Sequence, residues 1–137
     1  MNNSTFTLEM KVRDYECDMQ GVVNNAIYQN YLEHTRHEAL LSLGESFNDW
    51  TEKKIFPMVA KAEIEYKTPL KSGDKFNSEL FIERNGARYL FHQKIFRKND
   101  NKLCINAIIH IIVVQNGKLT RGDEFAKVLS PFIHDKD

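Results

Sequence analysis

A chain of 137 residues, 42% hydrophobic and 28% charged, has the size and composition of one domain, residues 1–137, able to bury a core of its own. Lysine plus arginine and aspartate plus glutamate both number 19, so no net field draws the protein to nucleic acid or to an anionic membrane. No apolar run approaches the ~20 residues that span a bilayer, and "MNNSTFTLEMKVRDYE" lacks the order of a secretory signal. Cys17 and Cys104 form neither a disulfide framework nor a Cys-x-x-Cys knuckle, so the expected setting is cytoplasmic, with both thiols free.

In chain order, "FTLEMKVR" (6–13) alternates Phe6, Leu8, Met10 and Val12 with polar residues, the period of a half-buried strand. From Tyr28 the period becomes 3.6: Tyr28, Tyr31, Leu32, Thr35, Ala39 and Leu43 share one face, with Asn30, Glu33, His34 and His37 opposite. This predicts one long helix from Asn25 to about Leu43, capped by Asn24 or Asn25 and stopped by Gly44. "FNDWTEKK" (47–54) reads as a short turn or helix, and strands are expected after Pro57, beginning with "AKAEIEYK". "KFNSELFIER" and "RYLFHQKIFRK" form a hairpin about Asn85-Gly86, read as a type I′ turn, and "KLCINAIIHIIVVQ" reads as a central strand covered on both faces. Asn116-Gly117 signals a second hairpin, and "TRGDEFAKVL" a closing short helix.

A single long helix needs one concave apolar face, so the expected class is α+β: a curved antiparallel sheet wrapped around one long central helix. Exposed edges and the apolar 103–114 strand suggest that dimerisation covers more surface than one chain can.

The stretch "CDMQGVVNNAIYQNYLEHTR" (17–36) sets the single acid Asp18 in the loop before that helix. Free N–H groups and the positive helix end favour an anion there, either a side-chain carboxylate or an oxyanion developing on a carbonyl. Asp18 could serve as nucleophile or general base in acyl transfer, with Gly21 letting the backbone approach a ligand. Spacing alone fits equally well an Asp18 that steadies the helix start and a Gly21 that makes a turn.

"DMQGVVNNAIYQNYLEHTR" resembles the 4-hydroxybenzoyl-CoA thioesterase family of hotdog-fold acyl-CoA thioesterases, which have an Asp-x-x-Gly-[small apolar]-Val stretch before the long helix. "Tyr66-Lys67-Thr68-Pro69" and the meander after it are similar as well. The resemblance implies the hotdog fold and hydrolysis of acyl-CoA or acyl-carrier-protein thioesters without metal or other cofactor. Asp18 falls on the catalytic aspartate, Gly21 on the glycine and Tyr28 on an aromatic near the helix start. The amides of Val22, Val23, Asn24 and Asn25 would then polarise the thioester carbonyl. A homodimer or homotetramer with sites at the subunit interface is also implied.

Two departures stand out. Many bacterial members have histidine where Asn25 stands, and the similar acyl-carrier-protein thioesterases have asparagine and histidine where this chain has Gln20 and Val22. The alternatives are therefore a non-catalytic acyl-thioester-binding module and, with weaker support, a hotdog hydratase or dehydratase.

Other candidates have plainer readings. Cys17 has no histidine near it in sequence, and His34 and His37 with Glu33 and Glu38 read as a solvated helix face rather than a metal site. Glu33 and Arg36 are spaced as a surface ion pair. His92 and His110 fall within strands, and His134 near the end of the chain. The cluster Arg84, Arg88, Lys94, Arg97 and Lys98 suits coenzyme A phosphates or, slightly better, the guarding of sheet edges.

Overall fold

In the computed structural model, which describes residues 3–134, the alternating first segment is strand β1 (Phe6–Lys11), followed by a 3-10 turn at Asp14–Glu16. The long helix α1 (Asn25–Ser42) and a short α2 (Phe47–Glu52) precede β2 (Ile55–Tyr66). Next come β3 (Lys75–Asn85), β4 (Arg88–Arg97), β5 (Leu103–Gln115), the three-residue β6 (Lys118–Thr120) and α3 (Asp123–Leu129), which leads into a 3-10 turn at Ser130–Phe132. The strands form one antiparallel sheet in the order β1-β3-β4-β5-β2. β6 takes up the side of β5 that β4 leaves at Ile112. The result is a curled sheet with a helix on its inner face, the expected α+β architecture.

Strict alternation in β3 and β4 turns Phe76, Leu80, Ile82, Tyr89, Phe91 and Ile95 inward, all at most 3% exposed. Against them α1 buries Tyr28, Tyr31, Leu32, Thr35, Ala39 and Leu40. Leu40 replaces the predicted Leu43, because the helix ends at Ser42 and Leu43 has left helical geometry (φ −99°, ψ 9°). Asn24 caps the start, its side chain accepting from the Ala26 N–H at 2.9 Å. At the other end Gly44 (φ +81°) makes a Schellman stop, with Glu45 N–H bonded to the Leu40 carbonyl and Gly44 N–H to that of Leu41.

Three polar side chains tie α1 to the sheet. Thr35 donates to the Tyr31 carbonyl at 2.8 Å, so the 2.7 Å contact with Ser78 on β3 must carry the Ser78 proton. Gln93 on β4 donates to the Leu32 carbonyl at 2.9 Å. All three polar residues are fully buried and bonded, as burial of a polar group demands.

The structure corrects three expectations. β3 and β4 turn on Gly86-Ala87, not Asn85-Gly86: Asn85 pairs with Arg88, and only Gly86 has a positive φ, which suits type II′ better than type I′. At 116–117 both residues do have positive φ, as a type I′ turn requires. β2 begins before Pro57 rather than after it; a strand bonded only to β5 tolerates a residue without an N–H on its free edge. The inner face of β5 is buried, whereas its outward residues Asn106, Ile108, His110 and Ile112 are only half-buried in this chain.

Candidate active site at the start of the long helix

The segment between β1 and α1 folds as a small hairpin. Cys17 bridges Val23, the Asp18 N–H donates to the Val22 carbonyl at 2.9 Å, and the Gly21 N–H donates to that of Asp18 at 3.0 Å. Gly21 has φ +80°, a left-handed conformation that favours glycine. The hairpin is pinned to the chain after β2, through a Val22–Lys71 bridge and a 2.9 Å bond from Val23 N–H to the Leu70 carbonyl.

Asp18 sits exposed on this hairpin. Its Oδ1 accepts from the Gln20 N–H at 2.8 Å, while Oδ2 has no hydrogen bond among the described residues. One oxygen is thus held and the other is free to meet a substrate or a water.

A cavity opens beside the helix start, lined by Val22, Val23, Asn25, Tyr28, Tyr66, Lys67, Thr68, Pro69 and Cys104. Four of the candidate residues meet there, Val22, Val23, Asn25 and Tyr28. Asp18, Gly21 and Asn24 do not line it. Tyr28 is 3% exposed; its hydroxyl accepts from the Leu70 N–H at 3.0 Å, and its ring meets that of Tyr66 edge-on at 5.8 Å. Burial pushes the Tyr28 phenol above its ordinary range, so it stays protonated at neutral pH.

The amides expected to polarise a carbonyl are fewer than the sequence suggests. Val23 N–H is bonded to Leu70 and Asn24 N–H to Glu16, while the Asn24 side chain occupies the Ala26 N–H. The amides of Val22 and Asn25 make no hydrogen bond among the described residues.

Sequence reasoning missed Glu16, which fixes this hairpin from below. It is 7% exposed and accepts from Arg13 N–H at 2.8 Å, the Arg13 guanidinium at 3.0 Å and the Tyr31 hydroxyl at 2.6 Å. Burial alone would raise the Glu16 carboxyl; the bonds from Arg13 and Tyr31 outweigh it and hold the group below its ordinary value. Its carbonyl receives the Asn24 N–H, so one residue joins the Asp18 hairpin both to the helix cap and, through Tyr31, to the second turn of α1. Lys67 and Thr68 were also missed as cavity residues, although the Tyr66–Pro69 stretch containing them stood out in the sequence.

The rival candidates resolve differently from one another. Burial, with the Asp14, Asp18 and Glu16 carboxylates nearby, pushes the Cys17 thiol up, which leaves it a poor nucleophile. His37 does not lie on a solvated face: it is half-buried, its ring 4.7 Å from that of Phe47. Arg36 makes no ion pair with Glu33; its guanidinium turns inward to Gln93 Oε1 at 3.0 Å. No three His, Cys, Asp or Glu side chains among the described residues could hold a metal ion.

Much of the basic cluster is already partnered. Arg84 meets Asp123 at 2.7 Å, Arg97 meets Asp100 at 2.6 Å, Lys98 pairs with Glu9, and Arg88 lies 3.2 Å from His110 Nδ1. His92 and His110 are strand residues beside Glu83 and Glu63, at 3.1 and 2.7 Å, and His134 contacts the Ser4 carbonyl. No helix of the described residues is long and apolar enough to cross a membrane.

A curled antiparallel sheet around one long helix, preceded by an acid-bearing hairpin, defines a hotdog-fold protein. Residues 12–132 match the family model described as thioesterase-like superfamily, and the chain belongs to that family. It is 41% identical over 127 residues to a chloroplastic acyl-acyl carrier protein thioesterase of Arabidopsis thaliana, covering 93% of this chain and 67% of that one. A second such Arabidopsis protein is 40% identical over 101 residues, 73% of this chain and 54% of its own length. The chain therefore spans between about half and two thirds of the length of these plant relatives. A solved structure from Aquifex aeolicus, 28% identical, superposes with a TM-score of 0.84 over 90% of this chain and 98% of that one. A 1,4-dihydroxy-2-naphthoyl-CoA thioesterase from Synechocystis shares the fold at 19% identity, TM-score 0.86, over 96% and 100%.

Proposed function

We propose that this protein is a cytoplasmic thioesterase that hydrolyses acyl thioesters of coenzyme A or acyl carrier protein to free acid and thiol. The observation that carries this reading is the 41% identity, across nearly the whole chain, to a protein named for that activity, with the Asp18 hairpin placed directly before α1.

In the proposed mechanism the thioester carbonyl lies at the helix start, its oxygen taken by the amides of Val22 and Asn25, where the helix dipole favours developing negative charge. The free Oδ2 of Asp18 either attacks the carbonyl carbon and expels the thiolate, giving a mixed anhydride that water cleaves to the acid, or removes a proton from a water that attacks and displaces the thiolate directly; in both routes the thiolate leaves as the thiol with a proton from that water. Asn25 has no proton-accepting nitrogen; it orients water or the thioester. Tyr28 lines the acyl side. Asp18 is exposed and does not line the cavity wall in one chain; in this reading a second copy packed along β2 closes the site, and the active species is a homodimer, alone or paired into a tetramer.

Thiol release from acyl-CoA and acyl-carrier-protein substrates tests this. The wild type turns over at least one of them, and Asp18→Asn lowers kcat by about 100-fold or more. Full turnover by Asp18→Asn would remove Asp18 from the mechanism. A wild type inert on every thioester would make the protein an acyl-thioester-binding module, and loss of enoyl absorbance without thiol release would make it a hydratase.

A further inference from the structure

Three cavities lie in line along one seam of the fold, between α1 and the β5–β2 side of the sheet. The first is the cavity at the helix start, between Asn25 and Tyr28 on α1 and Tyr66 at the end of β2. The second lies between Gln29, Leu32 and Arg36 on α1 and Val59, Ala62 and Ile64 on β2. The third lies between Glu33, Arg36, His37 and Leu40 on α1 and the β2 residues Pro57 and Val59. Residue numbers rise along α1 as they fall along β2, and the second and third cavities share Arg36 and Val59, so the three follow one another in order along the seam. From Asn25 to Arg36 it runs about 16 Å along the helix, the length of an extended chain of roughly a dozen carbons.

Arg36 lines both the second and the third cavity. Its guanidinium donates to Gln93 Oε1, and Gln93 cannot turn away, because its Nε2 is bonded to the Leu32 carbonyl. An amide oxygen does not balance a cation. None of the ion pairs within 4.0 Å among the described residues includes Arg36, and Glu33 on the same helix acts only from farther off. Burial lowers the Arg36 pKa to about 10, which still leaves it charged at neutral pH. A half-buried cation whose one hydrogen-bond partner among the described residues is neutral, set among the side chains of Leu32, Leu40, Val59 and Ile109, is costly in the free protein. It is correspondingly a strong anchor for an oxygen that arrives with a ligand.

We infer that Arg36 selects the acyl group: the seam takes an acyl chain that carries an acceptor oxygen, a carboxylate above all, which the guanidinium binds while the apolar walls hold the methylenes. This deepens the thioesterase reading above and rests on it for the thioester end of the ligand. Recognition of the distal oxygen stands on the seam geometry alone.

The test uses three coenzyme A thioesters matched in chain length: a plain chain, one with an in-chain oxo group, and one ending in a carboxylate. The wild type shows a kcat/KM at least about 10-fold higher on one or both oxygenated chains, and Arg36→Met brings that ratio near unity. Gln93→Glu supplies Arg36 with an internal carboxylate and lowers the ratio too, while Arg36→Lys keeps part of it. Thermal midpoints identify any variant that fails to fold, and the others then carry the comparison. Calorimetric binding of non-hydrolysable thioether analogues with the same three chains separates the two readings. A preference for the oxygenated analogues that Arg36→Met abolishes, without thiol release from any substrate, would sink hydrolysis and support the anchor. Equal binding of the three by the wild type, or a ratio unmoved in both Arg36→Met and Gln93→Glu, would overturn the anchor and leave hydrolysis standing.

Discussion

Glu16 shows how a residue with no chemical signature in the sequence can govern one that has it. Its folded pKa is depressed, so the stability it contributes is present above its ordinary value of 4.5 and is lost as pH falls through the lower folded value. Urea unfolding at neutral pH and below pH 4 should show this as an acid-sensitive share of stability that Glu16→Gln removes. Glu16→Ala goes further: it strands the hydroxyl of Tyr31, a residue 1% exposed, and should cost about 2–3 kcal/mol at neutral pH. An unchanged acid limb in Glu16→Gln would show that the carboxylate carries no such share. The sequence could flag Asp18 because its position before a helix is a local fact. It could not flag Glu16, because the partner that buries it, Tyr31, lies a full fifteen residues on and is brought there only by the turn of the chain. Arg36 misled for the related reason that i,i+3 spacing with Glu33 says nothing of Gln93, a residue 57 positions away.

At the scale of elements, the hairpin and α1 act as one piece, since Asn24 is both the helix cap and the end of the loop. Asn24→Ala leaves the Ala26 N–H without its acceptor and should cost about 1 kcal/mol, read from the urea midpoint. Gly21→Ala is a cleaner probe of the hairpin. No atom lies within 4 Å of the added methyl, so its cost of about 1 kcal/mol is backbone strain at φ +80° rather than a clash. If the hairpin aims Asp18, Gly21→Ala lowers kcat severalfold while Asn24→Ala, at similar stability, lowers it less; equal effects would show that only stability is at work. Elements were legible where a local signal marks both ends, as in α1 with its 3.6-residue period, its asparagine cap and Gly44. They were misjudged where tertiary pairing sets the boundary: Pro57 suggested a break, yet an edge position lets β2 run through it, and the pairing of Asn85 with Arg88 moved the turn by one residue.

At the scale of the molecule, β2 is the feature one chain leaves unfinished. It is twelve residues long and bonded only to β5, bulged at Ala60, with Met58, Val59 and Tyr66 between 45% and 52% exposed. A long edge with exposed apolar residues pairs with another strand or aggregates unless it is covered. The sequence hinted at such cover from the apolar 103–114 segment, but the outward face of β5 is only half-exposed and the barer surface is the neighbouring edge. Pairing β2 with β2 of a second copy would extend the sheet and close the mouths of the cavities that Val59, Ala62 and Ile64 line. About a two-fold axis each strand meets itself in reverse, so a charge near the middle of β2 lies close to its own copy. Val59→Lys should therefore convert a dimer into a monomer at micromolar concentration by analytical ultracentrifugation, with the circular dichroism spectrum unchanged. Thiol release should fall by about 10-fold or more, and high salt, by screening the two lysines, should restore part of both. A wild type that sediments as a monomer, or a monomeric variant with full activity, would place the closed site within a single chain and rule out a working interface at β2.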